Sequence, residues 1–156
     1  MVSSEPDVVR TEPVTTAVVR GVVPVDGLRA FFDVAFSALA RATAQQDVTL
    51  LGPAFALYRG PLGDTVDLEV GFPVDRPVRP EGDVVPSGLP AGRVARVTHS
   101  GSFDGLVESW MRLADWVRAQ GLSPSDRRWE SYVTQPSPEM DPRDLRTELS
   151  WLVEES

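Results

Sequence analysis

At 156 residues, with 42% hydrophobic and 24% charged side chains, the chain has the composition of one globular domain large enough to bury a core. A formal charge of −8 argues against a non-specific nucleic-acid binder, whose electrostatic footprint is basic, and the absence of cysteine excludes disulfides, thiolate catalysis and cysteine-ligated zinc. No apolar run approaches the roughly 20 residues needed to span a bilayer, and the acidic, proline-broken start MVSSEPDVVRTEP has no signal-peptide core, so a cytoplasmic protein is expected.

Along the chain, a β-branched stretch TTAVVRGVV (15–23) leads into Asp26-Gly27-Leu28. An amphipathic helix follows, with Leu28, Phe31, Phe32, Ala35, Phe36 and Leu39 on one face. Two strand-like runs come next, AFALYRG (54–60) and TVDLEVGFPV (65–74), joined by a short glycine-containing turn. The segment 75–91, rich in proline, reads as a connector. The same order then repeats. GRVARVTHSG (92–101) leads into Asp104-Gly105-Leu106 and a helix bearing Leu106, Trp110, Leu113 and Val117, stopped by Gly121. After it come RRWESYVT (127–134) and LRTELSWLV (145–153), joined by a proline-rich loop. Asp26 and Asp104, or Ser102 nearby, are expected to cap the two helices, since such side chains accept the orphan amides of a first turn.

The expected fold is therefore α+β in one domain spanning 1–156. It consists of two pseudo-symmetric β-α-β-β repeats, the first over about 7–74, the second over about 92–153, with a connector over about 75–91. Their strands are expected to join in one antiparallel sheet, helices on one face and a cleft at the pseudo-two-fold axis. The last strands of the repeats align Glu69 with Glu148, Phe72 with Trp151 and Val74 with Val153. Successive strand residues point to opposite faces, so the apolar rows go under the helices and each opposite face carries a glutamate.

Glu148 is the main candidate, because a carboxylate among apolar neighbours in mid-strand is costly unless it is solvated, paired or functional. An ordinary wet-face glutamate paired with Arg146 or Arg128 is the competing interpretation. Glu130 and Tyr132 share a face of the preceding strand, where the phenol has a carboxylate within cross-strand reach. Trp110 and Trp116 have the helical spacing of core residues and Trp151 lies on the apolar face of its strand, although aromatics at a groove edge also stack on flat cations. His99, the single histidine, sits before the second helix as a loop residue or a ligand contact. One histidine with scattered carboxylates is no metal site, and no Ser-His-Asp arrangement, phosphate loop or dinucleotide fingerprint is present. No cofactor is expected.

The segments LPAGRVARVTHSGSFDGL, RRWESYVTQPSPEMDPRDLRTELSWLV and VDLEVGFPV together resemble the GyrI-like (gyrase-inhibitor-like) small-molecule-binding domain, which also forms the effector-binding part of multidrug-responsive bacterial regulators. The resemblance implies the same duplicated fold around a cleft. It also implies that Glu148 anchors cationic, aromatic ligands, that Tyr132 matches the tyrosine of a Trp-Glu-x-Tyr strand, and that Trp110 matches an aromatic of the second helix. Two positions depart from that pattern: Ser150 replaces an aromatic after Glu-Leu, and Phe103 replaces a tyrosine at the start of the second helix. With no helix-turn-helix ahead of the domain, a free-standing member is expected.

Three functions follow from the resemblance. One is hydrolysis of cyclopropanoid DNA-alkylating toxins as self-protection, with Glu148 and Tyr132 as catalytic residues and Trp110, Glu69, Glu130, Phe103, Ser150 and His99 lining the ligand. A second is non-catalytic binding or sequestration of hydrophobic aromatic or cationic molecules. The third is a gyrase contact through the acidic surface. Neither direct nucleic-acid binding nor a membrane partner is expected.

Overall fold

The computed structural model describes residues 5–60, 63–102, 105–134 and 141–155. The fold is α+β, and the chain divides into two compact units, one of Pro13–Pro90 and one of Met1–Glu12 with Ala91–Ser156.

The Pro13–Pro90 unit contains β2 (Val14–Pro24), helix α1 (Leu28–Gln45), β3 (Phe55–Arg59), β4 (Thr65–Pro73) and β5 (Val84–Leu89). Its strands lie antiparallel in the order β3-β4-β2-β5. In register, Ala17 meets Phe72, Val19 meets Val70 and Gly21 meets Leu68. That row faces α1, since Phe36 packs edge-on to Phe72 at 5.6 Å and Phe31 lies over Gly21. A Cβ at Gly21 would stand 2.7 Å from the Phe31 ring, so glycine makes the space that the phenylalanine fills. Ala35, Leu39 and Ala42 continue the buried stripe of α1, and a fully buried side chain of leucine or valine size contributes roughly 1.5–3 kcal/mol.

The second unit contains β1 (Asp7–Thr11), β6 (Gly92–Ser100), helix α2 (Leu106–Ala119), β7 (Leu122–Tyr132) and β8 (Arg146–Glu155), with strand order β1-β6-β8-β7. Its core packs Ala95, Val97, Trp110, Leu113, Val117, Leu122, Leu149 and Val153. The registers correspond between units: Arg20 meets Glu69 and Glu69 meets Leu57, as Thr98 meets Glu148 and Glu148 meets Ser131. The duplication therefore extends to individual cross-strand pairs.

Three expectations are corrected. The proline-rich connector holds a strand, β5, paired with β2. Gly82 (φ 58°) forms the turn in which the backbones of Glu81 and Val84 bond one another at 3.0 Å, and Pro86, lacking an N–H, is tolerated because β5 is an edge strand. Residues 7–11, assigned by sequence to the first repeat, form β1 in the second unit, paired with β6. Each repeat thus has a fourth strand. Finally, Asp26 does not cap α1: it lies in a 3-10 turn over Val25–Gly27, the N-cap is Gly27, and no side chain bonds the first turn. Gly105 is the N-cap of α2, also without a side-chain bond, and Asp104 lies outside the described residues. Gly121 has φ 76°, the left-handed conformation of a helix stop.

Candidate functional site

Strand β8 separates two sets of side chains. Leu149, Val153 and the row Val97–Leu149–Glu130 face α2, as does the neighbouring row His99–Thr147–Tyr132. On the opposite face lie the row Thr98–Glu148–Ser131 and the row Arg96–Ser150–Trp129.

The α2 face holds a closed polar network. Glu130, 6% exposed, accepts hydrogen bonds from Trp110 Nε1 at 2.8 Å and from the Tyr132 hydroxyl at 3.0 Å. Trp110 stands edge-on to Trp151 at 5.4 Å, and the Arg128 guanidinium lies over both rings, 5.0 and 4.9 Å from their centres. Trp151 Nε1 donates to the Ser125 carbonyl at 2.8 Å. His99 is buried between sheet and helix. Its Nε2 bonds the Ser102 carbonyl at 2.8 Å, which places the proton there, so Nδ1 accepts from the Ser109 hydroxyl at 2.7 Å. Sequence reasoning missed Ser109, whose helical spacing brings it against the strand preceding its own helix.

The geometry changes the roles assigned from sequence. Tyr132 does not hold Glu148: the two residues point to opposite faces of the sheet, and the phenol donates to Glu130 instead. Trp110 is a core residue whose ring is flanked by Trp151 and Arg128, so it offers no free face of the kind a stacked ligand needs. Glu130 and His99 belong to the same α2-side packing. Phe103 lies outside the described residues. Of the predicted set, the structure brings together Glu148 and Ser150, to which it adds Thr98, Ser131, Trp129 and Arg96.

Glu148 is half-buried and makes no hydrogen bond or ion pair among the described residues. Neither arginine suggested as its partner is available. Arg146, two positions earlier on the same face, donates to the carbonyls of Arg143 and Leu145 at 3.0 Å, and Arg128 sits on the tryptophans of the other face.

The equivalent glutamate of the other unit is in the opposite condition. Glu69 is 1% exposed and saturated: Arg59 donates to Oε2 in a short ion pair, Arg20 Nε lies 3.3 Å from the same oxygen, and Ser87 donates to Oε1 at 2.9 Å. Every one of these partners is lost in the second repeat. The strand registers put Thr98 in the place of Arg20, Val9 in that of Ser87, and Val133, one residue past β7, in that of Arg59. The first glutamate closes a structural ion-pair network, whereas the second presents an unneutralised carboxylate among hydroxyls. A partly desolvated carboxylate without a partner is costly to the fold, and it attracts a cation that arrives with its own hydration already weak. Among the described residues no group of histidines, cysteines and carboxylates has the makings of a metal site, and no helix is long and apolar enough to cross a membrane.

The family model of the GyrI-like small-molecule-binding domain matches residues 4–154, and the chain belongs to that family. No curated protein matches the sequence. Among solved structures, the chain is similar to the C-terminal domain of EcmrR, with 20% identity, complete coverage of both chains and a TM-score of 0.88. It also resembles a hydrolase from Listeria innocua (14% identity, 96% and 92% coverage, TM-score 0.68). A third neighbour is SAV2435 bound to tetraphenylphosphonium (11% identity, 97% and 94% coverage, TM-score 0.68). These likenesses share the fold.

Proposed function

We propose that this protein binds aromatic organic cations through the Glu148 carboxylate, with the ligand lying along the β8 face at the half-buried Thr98 and Ser131, where Ser150 and Trp129 are buried beneath. The observation that carries this reading is the asymmetry of the two repeats: Glu69 is neutralised by Arg20 and Arg59, while Glu148 has no partner among the described residues. A hydrated inorganic cation gains little from one carboxylate. A large delocalised cation is weakly hydrated and brings apolar surface to bury, so a single half-buried carboxylate suits it. The neighbour with bound tetraphenylphosphonium supports the same ligand class.

Calorimetric titration with tetraphenylphosphonium tests the proposal. Glu148→Gln, which keeps shape and removes charge, is expected to bind about thirtyfold more weakly, a loss of about 2 kcal/mol. Equal affinity in wild type and variant removes Glu148 from the site.

A second reading rests on the same lack of a partner. An unbonded carboxylate is free to take a proton from water, so Glu148 would serve as general base while water oxygen bonds to the strained ring carbon of a cyclopropanoid alkylator. The ring C–C bond breaks and its electron pair passes into the conjugated carbonyl, which is protonated in turn. Tyr132 has no part in this version, because it faces α2. Mass spectrometry after incubation distinguishes the readings: a product heavier by one water over many turnovers, absent with Glu148→Gln, establishes the hydrolase, and unchanged compound leaves the binding protein.

A further inference from the structure

Next to Glu148 on the same sheet face stands a second unneutralised charge. Arg96, on β6, lies directly opposite Ser150 and diagonally across from Glu148, which is itself opposite Thr98. It is half-buried and makes no hydrogen bond or ion pair among the described residues, neither with Glu148 nor with Asp7, its direct neighbour on β1. The first repeat shows that the fold does not require a cation here. The equivalent position is Val18, fully buried, and the position equivalent to Ser150 is Gly71. The second repeat therefore differs from the first in two coupled ways: its glutamate has lost both arginines, and an arginine stands instead at a diagonal position without closing onto the carboxylate.

Diagonal cross-strand neighbours are about 7–8 Å apart at the backbone, and the two long side chains make no ion pair with each other, so both charged heads are left for a ligand that carries the two complementary charges. The hydroxyls of Ser150 and Thr98 lie on that face at the same two register positions, and the Trp129 ring flanks Ser150 on the far side. Arginine holds a carboxylate through a planar fork of two N–H groups, and glutamate holds a cation by charge. From this juxtaposition we infer that the Glu148 site selects zwitterions: aromatic molecules whose cationic group meets Glu148 and whose carboxylate meets Arg96. This deepens the ligand class proposed above and rests on that reading.

Two probes differing only in the anionic head provide the test: benzyltrimethylammonium and (4-carboxybenzyl)trimethylammonium, titrated calorimetrically into wild type, Arg96→Gln, Arg96→Lys and Glu148→Gln. Wild type is expected to prefer the carboxylated probe by about tenfold. Arg96→Gln loses that preference and binds benzyltrimethylammonium at least as tightly as wild type, since a neighbouring positive charge is gone, Arg96→Lys recovers part of the preference, and Glu148→Gln weakens both probes. Circular-dichroism melting shows that each variant is folded. Equal binding of the two probes to wild type, or a preference for the carboxylated probe that survives in Arg96→Gln, overturns the zwitterion inference and leaves the cation site standing. Failure of wild type to bind either probe overturns both.

Discussion

Arg20 stands directly opposite Glu69 across the β2–β4 ladder, and its Nε lies 3.3 Å from the Glu69 carboxylate. Thr98 holds the corresponding place opposite Glu148 and brings no charge. Removing one member of a buried ion pair leaves its partners uncompensated, although solvent reaching the arginines here lessens the loss. Glu69→Ala is expected to cost about 2–3 kcal/mol in urea unfolding, whereas Glu148→Gln stays within about 0.5 kcal/mol of wild type. A comparable loss from both substitutions would mean that Glu148 is as structural as Glu69.

The α2-side network makes a complementary prediction. Tyr132→Phe removes the 3.0 Å bond to buried Glu130 and is expected to destabilise the protein by about 1 kcal/mol. Cation affinity should not change, since the phenol points away from Glu148. Thermal melting and ligand titration on the same preparation check both halves.

His99 and Ser109 form a third test. Ser109→Ala deprives the buried Nδ1 of its donor at 2.7 Å, and the expected loss is about 1–2 kcal/mol, read from the urea midpoint. Ser109→Cys retains a weak donor and should fall between the two.

Gly71 is the position least tolerant of a side chain. A Cβ there would stand 2.0 Å from the Ala17 carbonyl oxygen, so the β2–β4 ladder must move to admit it. Gly71→Ala is expected to cost more than about 3 kcal/mol or to prevent folding, judged by soluble yield and melting. Its counterpart Ser150 already carries a Cβ, so Ser150→Ala should be mild.

Much of the architecture was legible because the Asp-Gly-Leu repeat stayed in step with the strands: the alignment of Glu69 with Glu148 reappears as matching cross-strand pairs. β5 escaped notice because Pro86 and Gly88 read as loop, and only its place at a sheet edge makes them acceptable. β7 begins at Leu122, earlier than expected, because Ser123-Pro124-Ser125-Asp126 resembles a turn and is accommodated by an irregularity between Pro124 and Arg128. For the site, alternation along β8 placed Glu148 and Ser150 on one face correctly. Pairing Tyr132 with Glu148 failed because the register between β7 and β8, which sets Tyr132 against Thr147, is not written in either strand alone. The same ignorance of register hid Arg96.

The non-contiguity of the second unit bears on how the chain acquires its shape during synthesis. The strands β2 to β5 emerge from the ribosome as an unbroken segment, so all their mutual pairings are available before β6 is made. β1, made before them, finds its partner β6 only later, and Thr11 bonds Gly92 across a separation of 81 residues. The unit that carries Glu148 therefore closes only once β8, the last of its strands in chain order, has been made.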